Sequence, residues 1–269
     1  MKVTLKWLLL FVFLYLSSIT EQANASPLQK EKQVDIFENP ENIFVTSESF
    51  IEVLHISDED EYIMEWTGNS ETMDKTDAQQ VITFLFEDGY VKDLSSAWSE
   101  GENDVSAAKQ ILSEDSSRYN AISFHYATKA PVFSYDWSET ALYVFDTPMT
   151  DLHSFKKPKS KEENKSQQVL DTIINQQQDH IIRIIREKAE LSEDELLFPL
   201  YDVKTWKTII NASDYHFPQN KVEKIWSDIY QQLVEETKKL RSDHKKGMPF
   251  ISWNKDNKEL SLYIHYGHA

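Results

Sequence analysis

Eight histidines are the side chains best suited to acid–base or metal chemistry in this chain, at His55, His125, His153, His180, His216, His244, His265 and His268. None opens an H-E-x-x-H, so the helix-borne arrangement of two zinc ligands around a glutamate base is absent. His265 and His268 are three apart, which in a strand puts them on opposite faces. His125, within Phe124-His125-Tyr126 on a predicted strand, is the candidate base if it faces a cleft. His153 and His216 sit beside aromatic or proline-containing segments, where sites are common.

Ser-x-x-Lys occurs at Ser106, Ser154, Ser242 and Ser252, but the S-D-N and K-T-G partners of penicillin-recognising enzymes are missing. The 45 carboxylates select no glycosidase pair by themselves. The acidic turns Ser57 to Glu61 and Asn254 to Glu259 lack the alternating ligand order of a calcium loop, so loose calcium binding is the most they suggest. No metal centre and no cofactor is expected. Among the aromatics, Trp66, Trp137, Trp206, Trp226 and Trp253 fall in apolar patterns that mark a core. Trp98, in Ser95-Ser96-Ala97-Trp98-Ser99, sits among small residues and is the candidate for binding.

Glycine narrows the chemistry further. The five glycines are Gly68, Gly89, Gly101, Gly247 and Gly267, and no two are closer than 12 residues. This excludes the G-x-G-x-x-G fingerprint, the phosphate-binding G-x-x-x-x-G-K-[ST] loop and the G-x-S-x-G elbow.

Lys2 and Lys6 precede the apolar run Trp7–Leu16, and Ala23-Asn24-Ala25 follows. These are the parts of a secretory signal peptide cleaved after Ala25, and the run is too short for the roughly 20 residues that span a bilayer. Cleavage removes Lys2, Lys6 and Glu21 and takes the formal net charge from −17 to −18. Such a charge opposes nucleic acid and anionic lipid. There is no cysteine for disulfides or lipidation, and 24 lysines stand against 4 arginines.

The elements that must position these residues are read from periodicity. Hairpins are predicted at Phe50–Ile56 with Tyr62–Trp66 and at Val81–Phe86 with Tyr90–Leu94, the second turning on Asp88-Gly89. A helix is predicted over 103–114, since Val105, Ala108, Ile111 and Leu112 share one helical face. Strands follow at Ala121–Tyr126, Val132–Trp137 and Ala141–Phe145. Beyond the basic stretch starting at Lys156, helices are predicted over 162–190, over 203–211 and from a cap at Asn220, with a short helical turn opened by Ser192 and Glu195. A terminal hairpin joins Pro249–Trp253 to Glu259–Tyr266.

The expected architecture is α+β, with an antiparallel sheet in residues 26–155 and a mainly helical half in residues 156–269, in one merged domain or two. The expected role is that of a secreted, acidic, non-enzymatic interaction or regulatory module with a protein or cell-envelope partner. The alternative is a secreted hydrolase that draws Asp, Glu and His from separate loops.

Overall fold

The computed structural model describes residues 42–56, 61–130, 132–147, 150–210, 228–235, 245–254, 256 and 259–268. Ala23, Ala25, His216, Asn220, Trp226, His244 and most of the two acidic turns lie outside them.

The first eight elements are strands: β1 (Phe44–Ile56), β2 (Tyr62–Thr72), β3 (Ala78–Glu87), β4 (Tyr90–Ser99), β5 (Asp104–Ser113), β6 (Ser117–Lys129), β7 (Val132–Thr147) and β8 (Thr150–Phe155). Helix α1 (Lys161–Lys188), strand β9 (Leu196–Pro199), helix α2 (Val203–Ile210), strand β10 (Lys245–Asn254) and strand β11 (Glu259–His268) follow. Residues 228–235 are also helical.

Two antiparallel sheets result. The large sheet runs β11-β10-β4-β3-β6-β7-β8, with β9 also paired to β10, and the small sheet runs β1-β2-β5. Side chains alternate across β3 and β6, and both faces are covered. Ile82, Phe84, Phe86, Ile122 and Phe124 meet Trp137, Trp206, Ile229 and Leu233 under the helices. Leu85, Tyr119 and Ala121 meet Ile51, Tyr62, Met64 and Trp66 of the small sheet.

The expected mainly helical C-terminal half is therefore overturned. The chain is mostly β, and β9, β10 and β11 join the sheet built by the first half. The predicted helix at 103–114 is strand β5, and the turn at Ser192 and Glu195 opens no helix but leads into β9. A tertiary partner decides β5: Glu71 to Tyr62 of β2 pair with Asp104 to Ser113. Its inward row is Val105, Ala107, Lys109, Ile111 and Ser113, and the Lys109 ammonium reaches Asp93 Oδ1 at 2.7 Å. A lysine at an inward position disguises the two-residue alternation that marks a strand.

Helix α1 begins at a capping box. Ser160 Oγ accepts from the Glu163 N–H at 3.0 Å, and the Glu163 carboxylate accepts from the Ser160 N–H at 3.2 Å. Arg118 of β6 then ties the helix to the sheet, its guanidinium 2.9 Å from Asp171 Oδ1 and 3.2 Å from the Tyr201 hydroxyl.

The two sheets pack in close contact at Gly68. A Cβ there would overlap Thr83 Oγ1 and lie 2.6 Å from Ser123 Oγ and 2.8 Å from Val81 Cγ2. Gly68→Ala is therefore expected to destabilise by about 1–3 kcal/mol through overpacking. Where a site has room, the same change stabilises by stiffening the unfolded chain, so the sign is diagnostic. A urea midpoint at or above that of the wild type would contradict this packing.

Candidate functional site

Strand β7 places Asp136, Trp137, Ser138 and Glu139 along one wall of an open groove of about 1020 Å³. Lys204, Lys207 and Thr208 of α2 form the opposite wall, and Ser47 of β1 closes one side. Trp137 is the buried floor, packed edge-on to Trp206 at 5.3 Å between ring centroids. Asp136 caps the Trp137 N–H at 2.7 Å and lies 3.8 Å from the Lys207 ammonium. Burial pushes the Glu139 carboxyl above its usual range and Asp202 adds to the rise, with Lys207 opposing both.

Register brings His125 behind this wall, because β6 pairs His125 with Asp136 and Ser123 with Ser138. His125 Nε2 is 2.8 Å from Ser138 Oγ. A chain of hydroxyls continues from there. Ser138 Oγ is 2.7 Å from Ser49 Oγ, Ser49 Oγ donates to Ser123 Oγ at 2.8 Å, and Ser123 Oγ is 2.9 Å from Thr83 Oγ1.

The Ser138–His125 pair has the spacing of a nucleophile and its base, but it lacks what makes such a pair work. In a catalytic triad a carboxylate at Nδ1 stabilises the imidazolium that forms during attack. Here Nδ1 is buried with no hydrogen-bond partner. Burial, helped by Lys207, pushes the imidazole down to about 3. A base works best with a pKa near the ambient pH, and a deficit of about four units amounts to roughly 5 kcal/mol. The hydroxyl chain links the small sheet to the large one through Ser49, and the pair as it stands lacks the carboxylate partner of a triad. Ser138 and Asp136 escape sequence reading because their proximity to His125 depends on strand register.

His153 also has a structural role, since its Nε2 lies 2.8 Å from Glu163 Oε1 of the α1 capping box. It is 28 residues from His125 in the chain and on β8, and the two share no polar partner. Trp98 projects from β4 at 67% exposure, as expected of a residue outside the core, while Trp66, Trp137, Trp206 and Trp253 are buried.

A second buried polar cluster surrounds Glu87, which is 5% exposed. Its carboxylate accepts from Lys92 at 3.0 and 3.1 Å, from the Tyr119 hydroxyl at 2.9 Å and from Ser113 Oγ at 3.4 Å, and Lys246 lies 3.5 Å away. The Tyr62 hydroxyl is 2.8 Å from that of Tyr119 and donates to the Asp115 carbonyl. Burial pushes the Glu87 carboxyl up, but Lys92, Tyr119 and Lys246 outweigh it and hold it below the usual range. Burial lifts the Tyr62 phenol to about 12 and drives Tyr119 further in the same direction. The cluster joins β2, β3, β4, β5, β6 and β10 around the Glu87 carboxylate.

The outward face of the small sheet has the opposite character. Phe50, Leu54 and Leu112 are exposed at 42%, 45% and 56%, with Ile63 half-buried between them. Glu48, Glu52, Glu65, Glu71 and Asp104 project from the same face, by alternation with the inward Ile51, Met64, Trp66 and Val105. The three strands contain no arginine and one lysine, the inward Lys109.

Among the described residues no group of three His, Asp or Glu side chains is placed to hold a metal ion, and no helix is long and apolar enough to cross a membrane. No model of a known protein family matches the chain, and neither does any curated protein.

Proposed function

We propose that this chain is an extracytoplasmic, non-enzymatic interaction module, exported by the segment ending near Ala25, which docks a protein partner on the outward face of β1, β2 and β5. The observation that carries this reading is the composition of that face, where exposed Phe50, Leu54 and Leu112 share one side of the sheet with five carboxylates, His55 and no lysine or arginine. Exposed apolar side chains gathered on one rigid surface and rimmed by polar groups mark an interaction site. The hydrolase alternative is weakened by His125, whose Nδ1 faces no carboxylate.

The test compares native complexes formed by the exported protein and by a Phe50→Ser/Leu112→Ser variant. The wild type is expected to sediment with a partner and the variant as the free chain, with equal melting temperatures because both side chains point to solvent. Identical sedimentation of the two proteins would contradict the assignment of this face.

A further inference from the structure

Register fixes the order of the outward face row by row. Phe50 lies opposite Thr67, and Thr67 opposite Ala108. The next outward row is Glu52, Glu65 and Gln110, and the one after it sets His55 opposite Ile63 and Ile63 opposite Leu112, with Leu54 at the neighbouring bulge of β1. An acidic row thus separates two apolar rows roughly 14 Å apart, four residues at about 3.4 Å each. Towards the other end, Glu71 lies opposite Asp104.

Glu52–Glu65 and Glu71–Asp104 are like charges directly opposite each other, a pairing that destabilises a sheet. Neither pair is relieved by a described lysine or arginine. Among the described residues the one polar contact made by these four side chains is the Gln110 amide donating to Glu65 at 2.8 Å. Folding gains nothing from this placement, so the carboxylates are explained by what they meet.

We infer that the face receives a cationic amphipathic polypeptide segment, one that sets Lys or Arg between two apolar anchors. This deepens the docking reading above and rests on it. Charge complementarity selects the occupant. A second copy of this chain would bring the same carboxylates against themselves across a two-fold interface. Nucleic acid and anionic lipid are repelled by the same charges.

The probe is a synthetic amphipathic helix of Leu and Lys, with its Leu and Glu counterpart as control, titrated calorimetrically against the folded protein. The Leu/Lys peptide is expected to bind and the Leu/Glu peptide not to bind. Affinity should fall at least tenfold in Phe50→Ser/Leu112→Ser and at least tenfold in Glu52→Lys/Glu65→Lys. Glu52→Gln/Glu65→Gln serves the same purpose if the charge reversal does not fold. Glu162→Lys/Glu187→Lys, the same change in net charge on exposed residues of α1, should alter affinity less than threefold. Equal losses from the α1 and sheet variants would reduce the effect to global attraction and overturn the proposal, as would equal binding of both peptides. If the Leu/Lys peptide fails to bind while the sheet face still captures a native partner, the partner chemistry is wrong and the docking reading survives. If both fail, both readings fall.

Discussion

Glu87→Ala is expected to cost about 1–3 kcal/mol, the range for leaving buried hydrogen-bonding groups unsatisfied. The loss falls chiefly on the buried hydroxyls of Tyr119 and Ser113, which lose the carboxylate and keep only each other and Tyr62. Lys92 and Lys246 are partly exposed and can turn to water. For that reason Lys246→Ala should cost less than about 1 kcal/mol. The same site makes a pH prediction. The Glu87 carboxyl is held below its ordinary value of 4.5, so the stability it adds is present above that pH and is lost as pH falls through the folded value. The gap between wild type and Glu87→Gln in urea unfolding should be full at pH 7 and shrink only as the pH falls below 4.5. Asp88, pushed upward by burial, opposes the trend in both proteins, so the difference between them isolates Glu87. A gap that persists unchanged into acid would contradict the charged cluster.

His125 predicts an acid sensitivity over a higher window. Its imidazole is held at about 3 against 6.5 when unfolded. The unfolded chain therefore binds the proton first, and stability falls as pH drops below about 6.5. The penalty reaches about 2 kcal/mol at pH 5 and about 4–5 kcal/mol near pH 3. His125→Phe removes the titration, so its stability should decline less steeply between pH 7 and 5 than that of the wild type, whatever its absolute value. Parallel slopes would mean that His125 titrates normally, and a titration near neutrality would restore it as a base for Ser138.

Much of the local structure was legible in the sequence. Asp88-Gly89 marks the β3–β4 turn because a tight hairpin needs positive φ, and both residues have it, at 51° and 89°. The long apolar stripe of α1, with Ile174, Ile181 and Ile185 buried, is visible as a helical period. The β nature of residues 104–113 was hidden because inward Lys109 breaks the alternation and Ala108, Ile111 and Leu112 complete a false helical face. Short strands such as β9, four residues long, depend on a neighbour that no local pattern reveals. The C-terminal strands β10 and β11 were visible as a hairpin, but their addition to β4 through Gly247 and Val91 was not.

Trp98 could be set apart from the core tryptophans because it lies among small residues, but it stands on β4, outside both the groove and the acidic face. His125 sits on the expected strand, but its burial between two sheets follows from the small sheet lying over β6, which is a tertiary event. The outward acidic face is invisible as long as the helical period over 103–114 hides β5. Only when Asp104, Ser106, Ala108, Gln110 and Leu112 point one way does β5 extend the surface of β1 and β2.

The central claim, that the outward face of β1, β2 and β5 is covered by a partner, is tested most directly by a photo-crosslinking residue placed in turn at Leu112 and at Val169, in the full chain in its native setting. Both positions are exposed apolar sites, at 56% and 51%, but Val169 lies on α1 away from the acidic rows. The account predicts one discrete adduct from Leu112, abolished by Glu52→Lys/Glu65→Lys, and none from Val169. No adduct from Leu112, or the same adduct from both positions, would contradict it.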